Sequence, residues 1–295
     1  MLGARTPRPH RPSGRPNPSA KKKKLICKEN PATTDIIINL FFGPAVNAAR
    51  GVAISVFSVL TNFTSNFINA LNPQIVKSYA SGDIDRMHQL LFNGCKYTFF
   101  LFILFALPII MEAPFLLKLW LINPPELSVV FCQLVLVAAL IDMVSSIMVY
   151  GILATGNVKC YQIIMSSLFL MVPVVSYFLY LLGMSALTYL YAEVFVYLVA
   201  IFLRPYLLGK VTGLKVTEFL FTIVKRDLLV CIISIPLPLL FIQVFDSSFY
   251  RLILTLILSI SCTSLAIWFV GLGKYEKDKL LTIVRSKIYV RRQCA

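Results

Sequence analysis

Long runs of apolar residues, with few or no charges, alternate with short polar joints along most of this chain. A membrane-spanning helix needs roughly 20 apolar residues to cross a hydrocarbon core about 30 Å thick. Seven runs reach this length once the uncharged stretch 160–192 is divided at the turn signal 183–185, which lies between two spans. These runs cover about 45–71, 96–119, 128–154, 160–182, 186–208, 228–245 and 252–272. The pattern predicts an all-α, polytopic transmembrane helix bundle of about seven spans.

The composition supports a membrane protein and excludes an ordinary globular enzyme. Apolar residues make up 58% of the chain, charged residues only 14%, and the mean hydropathy is +0.80. The runs are also far longer than the strands of roughly ten alternating residues that build an outer-membrane barrel. We therefore expect a transmembrane helical lobe over 45–273, followed by a basic cytoplasmic tail over 274–295.

The net charge of +15 divides between the first 30 residues and the joints. Loops rich in Lys and Arg face the cytoplasm, and the bases concentrate in the joints 72–96, 155–159 and 209–227 and in the tail. An odd number of spans then places the N-terminal side outside, which conflicts with the nine bases of residues 1–30. We expect 1–30 to be a disordered, Pro-rich tail, with an anionic-lipid or nucleic-acid patch as the alternative, and 31–44 to be the remnant of a truncated transmembrane helix.

The first full span is amphipathic inside the predicted membrane. At 100° per residue its polar side chains fall within an arc of about 160°. They are Asn47, Arg50, Ser58, Thr61, Asn62, Thr64, Ser65, Asn69 and Asn72. Such a stripe indicates either the lining of a water-filled pathway or a hydrogen-bonded contact between helices. As candidate substrate-binding residues we select Arg50, Asn47, Ser58, Thr61, Asn62 and Ser65. The Arg50 guanidinium would favour an anionic group, or it would extend to the lipid headgroups.

Asp142 and Glu193 lie within predicted spans, where ionisable side chains are costly and point inward. They are candidates for coupling to a proton or sodium gradient, or else they are packing residues. The only histidines are His10 and His88, and seven scattered cysteines form no CxxC pair. This sequence indicates no enzyme, no metal site, no cofactor and no nucleotide-binding loop.

Two segments carry a resemblance to a known family. The stretch Asn39-Leu-Phe-Phe-Gly-Pro-Ala-Val-Asn-Ala-Ala-Arg-Gly-Val-Ala53 and the stretch Asn72-Pro-Gln-Ile-Val-Lys-Ser-Tyr-Ala-Ser-Gly-Asp83 resemble bacterial polysaccharide exporters. The resemblance continues through Leu119-Trp-Leu121 and Ala154-Thr-Gly-Asn-Val-Lys159. These exporters are the O-antigen flippases of the multidrug/oligosaccharidyl-lipid/polysaccharide superfamily.

The resemblance implies the second lobe of a two-lobe flippase in the bacterial cytoplasmic (inner) membrane. Its substrate would be an oligosaccharide linked to a polyprenyl-pyrophosphate carrier, for lipopolysaccharide, O-antigen or capsule assembly, moved by alternating access. The expected partners are membrane lipids, an ion gradient and the missing first lobe. No binding to nucleic acid is expected. A drug/cation antiporter of the same superfamily and an inactive fragment or structural membrane subunit are the alternatives.

Overall fold

The computed structural model describes residues 31–246, 248–273, 276–278 and 282 of the chain. The predicted tail 1–30 and most of the predicted tail 274–295 lie outside these residues. All regular structure in the described part is helical, which confirms the all-α class. Eight helices, α1 to α8, follow one another in this part. Their bounds are Pro31–Ala80, Ile84–Leu121, Ser128–Met143, Met148–Thr155, Val158–Leu181, Thr188–Thr212, Val216–Val244 and Phe249–Gly271.

Six of these helices are long and apolar enough to cross a membrane, and the bent pair α3 and α4 makes a seventh span if it crosses as one. The chain is thus a multi-pass membrane protein. Several predicted boundaries were wrong, because α1 continues to Ala80 and α7 already begins at Val216, inside the joints predicted at 72–96 and 209–227. An apolar run marks only the part of a helix that is suited to the hydrocarbon core. The helix itself can continue beyond that run, because its backbone hydrogen bonds also form in polar surroundings.

The helix α1 is broken at Gly43. Here the backbone has φ 78° and ψ 179°, and helix continues on both sides. Only glycine adopts this region without strain, because any Cβ would collide with the neighbouring backbone. Pro44 follows and has no N–H to donate, so the hydrogen-bond ladder is interrupted at the same place. The predicted helix remnant 31–44 is therefore a short helical segment that meets the rest of α1 at a fixed break.

A second break separates α3 from α4, whose axes differ in direction by 48°. The predicted span 128–154 is therefore two helices, and Arg204 of α6 reaches the break. Its guanidinium donates to the Asp142 carbonyl at 3.4 Å and to Ser145 Oγ at 3.1 Å, next to the Asp142 carboxylate. The polar groups freed by the bend thereby gain a charged donor.

The core of the bundle lies where α1, α2 and α3 pack against one another and α6 packs against α3. The helix α5 packs on α6, and the hairpin of α7 and α8 packs on α2. Gly151 of α4 allows a close approach, because a Cβ there would lie 2.8 Å from a methyl carbon of Leu91 and 3.1 Å from one of Leu208. The absence of a side chain at such positions lets neighbouring transmembrane helices approach closely.

Candidate functional site

A polar face of α1 is left uncovered by the rest of the described chain. Five of its polar residues are exposed, and each lies three, four or seven positions from another member, which places them on one side of the helix together with exposed Val59. We call this surface the amide face; it consists of Ser55, Asn62, Ser65, Asn66 and Asn69. Of the predicted substrate-binding residues, Asn62 and Ser65 lie on it, and half-buried Ser58 and Thr61 lie at its edge.

The hydroxyl groups along this face are satisfied within the helix itself. Ser55 donates to the Gly51 carbonyl at 2.9 Å, and Ser65 donates to the Thr61 carbonyl at 2.6 Å. Ser58 and Thr61 make the same kind of bond to carbonyls three or four residues earlier. Such bonds reduce the cost of a hydroxyl in a non-aqueous environment.

The three amides of the face differ from the hydroxyls. Within the described residues, the side chains of Asn62, Asn66 and Asn69 have no hydrogen-bond partner, and all three are exposed. Each amide offers two donors and an acceptor, so the row presents unused hydrogen-bonding capacity on a helix long enough to span a membrane. Hydrocarbon would leave these groups unsatisfied at a cost of several kcal/mol each, so water, a polar ligand or another protein surface must cover them.

Arg50 does not lie on the exposed face. Its side chain is 3% exposed, forms an ion pair with Asp35 across the Gly43 break, and donates from Nε to Tyr189 Oη at 3.0 Å. Its charge is therefore balanced inside the bundle, and Asp35, at 43% exposure, is the accessible member of the pair. Asn47 is half-buried, and its Oδ1 atom is buried without a hydrogen bond.

The two candidate coupling acids lie in different environments. Asp142 forms a 2.7 Å ion pair with Arg204, which is 5% exposed. Glu193 is half-buried on α6 and accepts a 3.0 Å hydrogen bond from Tyr197 Oη. Asp142 is therefore held by a buried cation at the break between α3 and α4, and Glu193 by a neighbour on its own helix.

Sequence reasoning missed a buried acid at the other end of the bundle. Glu112 is fully buried, although its place near the end of a predicted span is typical of a boundary residue. It accepts from Arg251 Nη2 at 3.0 Å and from Thr255 Oγ1 at 2.9 Å. The sequence contains one indication that Glu112 is buried, namely its position inside an otherwise apolar run.

Sequence reasoning also missed a contact between α2 and the segment after α8. Lys96 is 2% exposed and forms an ion pair with Glu276, which also accepts from Tyr97 Oη at 2.9 Å and from the Gly273 N–H at 2.7 Å. Burial opposes ionisation of Glu276, but the hydrogen bonds outweigh it and lower the pKa of this carboxyl below its ordinary value. The contact was not predictable because its partners are 180 residues apart.

The described residues contain no group of three or more His, Cys, Asp or Glu side chains that could hold a metal ion. Comparison of the chain with protein-family models, with curated proteins and with solved structures gives no significant match.

Proposed function

We propose that this chain forms one wall of a membrane transport pathway for a lipid-linked oligosaccharide, and that the amide face of α1 contacts the sugar. The observation that carries the proposal is the row of exposed amides at Asn62, Asn66 and Asn69 on a helix of membrane-spanning length. Sugar hydroxyls are both donors and acceptors, as are side-chain amides. A water-filled pathway would keep the amides hydrated between passages of substrate.

The charge pattern of α1 favours a neutral glycan over a cationic drug. No ionisable residue occurs from Gly51 to Val76, and the nearest base, Arg50, is neutralised by Asp35. An antiporter for cations would need an acidic cavity, because a cation must be compensated when it leaves water. The amide face offers hydrogen bonds without charge, as an uncharged sugar requires.

The break in α1 at Gly43 and the bend between α3 and α4 further support a transporter. Transporters tolerate helix breaks within the membrane where the freed backbone groups line a cavity or are satisfied by neighbours. The break at Gly43 lies inside the first segment that resembles polysaccharide exporters. By this resemblance, the chain is the second lobe of a flippase in the bacterial cytoplasmic membrane, and another lobe covers the opposite side of the pathway.

Cysteine labelling tests whether the amide face lies in a water-filled pathway. Asn62→Cys, Asn66→Cys and Asn69→Cys, each made in a chain without native cysteines, should react in membranes with a water-soluble thiol reagent. Matched controls are Ile163→Cys and Leu170→Cys on α5, which are 70% and 64% exposed but apolar. We expect the controls to remain unreactive in lipid. Equal reactivity of both sets would contradict a pathway along α1.

A binding experiment tests the substrate class. The purified chain should bind a polyprenyl-pyrophosphate oligosaccharide more tightly than the same carrier without its glycan. Replacing Asn62, Asn66 and Asn69 together by Ala should remove that preference, since each hydrogen bond contributes about 1 kcal/mol. Ser167→Ala on the exposed side of α5 is the control. An unchanged preference in the triple variant would show that the glycan does not bind at the amide face.

A further inference from the structure

A seam of buried polar groups runs between α2, α7 and α8, away from the amide face. Asp227 of α7 is 2% exposed, and both of its carboxylate oxygens are buried without a hydrogen bond. Ser234 of α7 and the residues Ser259 and Thr263 of α8 are fully buried, and their hydroxyl oxygens have no partner. Buried polar groups are nearly always hydrogen-bonded, so four such residues on two packed helices require an explanation.

The hairpin geometry brings these groups into one line. The helix α7 ends at Val244 and α8 begins at Phe249, so Ser234 and Ser259, ten residues from each end, lie at the same level of the antiparallel pair. Thr255, Ser259 and Thr263 are four residues apart and share one side of α8. Thr255 donates to Glu112, which places the buried Glu112–Arg251 pair at one end of the line.

The helix α7 is interrupted at Ile235, between Ser234 and Pro236, and this interruption adds a further acceptor. Pro238 has no N–H, so the carbonyl of Ser234, four residues earlier, receives no bond from it. The Ser234 carbonyl therefore lacks the backbone bond that a regular helix would supply. The Ser234 hydroxyl is also buried without a hydrogen bond.

The opposite end of the line lies beside a cavity. A space of about 300 Å³ is lined by Asn93, Lys96, Arg226 and Glu276, among others, and Arg226 directly precedes Asp227. This is the end of the bundle predicted to face the cytoplasm. The Asp227 carboxylate is close enough to Lys96 for Coulombic attraction, and Lys96 is itself paired with Glu276. The charge of Asp227 also acts on the thiols of Cys95 and Cys231.

The spacing of the groups suits bridging water. Side chains one helical turn apart are separated by about 5–6 Å. One water that bonds to both oxygens at about 2.8 Å spans this gap, and a buried water needs two to four polar partners. A single metal ion fits less well, since Asp227 and Ser234 are two turns, or about 10 Å, apart along α7 and do not converge on one point.

We propose that Asp227, Ser234, Ser259, Thr263, Thr255 and Glu112 form a water-bridged proton relay through the bundle. The Asp227 carboxylic acid passes its proton to a bridging water, and water in the cavity returns one to the carboxylate. The Glu112 carboxylate, held between Arg251 and Thr255, receives the proton at the far end and releases it to water there. The relay is separate from the amide face, and its test needs no glycolipid.

Proton flux into vesicles tests the relay. The full chain, reconstituted in liposomes with a pH-sensitive dye inside, should pass protons when valinomycin and a potassium gradient set a membrane potential. Asp227→Asn should lower the rate to that of protein-free vesicles, and the double variant Ser259→Ala with Thr263→Val should lower it substantially. The matched controls, Asp85→Asn and Ser167→Ala at exposed positions, should retain the full rate. Wild-type flux in Asp227→Asn, or no wild-type flux above protein-free vesicles, would overturn the proposal.

An infrared titration of the unmodified chain gives a second readout, and the Asp227→Asn protein assigns the band. A relay carboxyl should show the absorption of a protonated acid that disappears as pH rises and shifts in D₂O, because bridging water exchanges with it. The Asp227→Asn protein, if it elutes and unfolds like the wild type, should lack this band. A band that persists in the variant, or one that never exchanges, would contradict a hydrated Asp227.

Discussion

At the scale of single residues, three arginines of the bundle are each paired with an acid. Arg50, Arg204 and Arg251 meet Asp35, Asp142 and Glu112, respectively, and each pair contains at least one buried member. Removing one member of such a pair leaves an uncompensated charge in a medium of low dielectric constant, which costs about 3–5 kcal/mol. Removing both members costs far less, since no charge is then buried.

The variant Asp142→Asn distinguishes the two interpretations of Asp142, as an ion-coupling residue or as a packing residue. Because Arg204 is 5% exposed, loss of its carboxylate partner should lower the free energy of unfolding by about 3 kcal/mol. The double variant Asp142→Asn with Arg204→Met should recover most of that loss, measured by thermal unfolding in detergent. Asp246→Asn, at an exposed position, is the control. An unchanged stability in Asp142→Asn would favour ion coupling over packing.

At the scale of elements, the break in α1 depends on one backbone conformation. Gly43→Ala should destabilise the chain by about 1–3 kcal/mol, because φ 78° with ψ 179° is strained for any residue with a Cβ. Gly51→Ala is the matched control: a Cβ there meets nothing within 4 Å, and alanine favours helix by about 0.5–1 kcal/mol. The two changes should therefore shift the melting temperature in opposite directions. A stabilising Gly43→Ala would mean that α1 is continuous.

At the scale of the whole molecule, Glu276 links the segment after α8 to Lys96 and Tyr97 of α2. Its pKa is lowered in the folded chain, so the unfolded chain binds the proton more tightly and low pH favours unfolding. The stabilisation is fully present above the ordinary pKa of a glutamate and is lost as pH falls through the lowered folded value. Glu276→Gln should therefore be less stable than the wild type at pH 7, and the difference should vanish in acid, as thermal unfolding between pH 3 and 7 would show. A difference independent of pH would contradict a charged contact.

The sequence by itself determined the class of this protein and the approximate positions of its apolar spans, but not where each helix begins, ends or breaks. Apolar runs of membrane-spanning length predicted the all-α bundle, because backbone groups in hydrocarbon must be hydrogen-bonded within their own segment. Helical periodicity likewise predicted the polar side of α1, of which Asn62 and Ser65 are exposed members. Both properties are local, since they depend on residues within a few turns of one another.

Only the tertiary structure decided which polar residues meet. The partner of Arg50 on α6, Tyr189, is 139 residues away, and Glu112 is equally far from Arg251. Periodicity assigned Arg50 to the polar stripe, yet the packing of α6 and the turn at Gly43 bury it beside Asp35. The sequence did not single out Asp227, because this residue ends a basic joint. Only the packing of α7 against α2 and α8 buries it. Contacts between distant residues depend on how the helices cross, and a one-dimensional pattern does not encode those crossings.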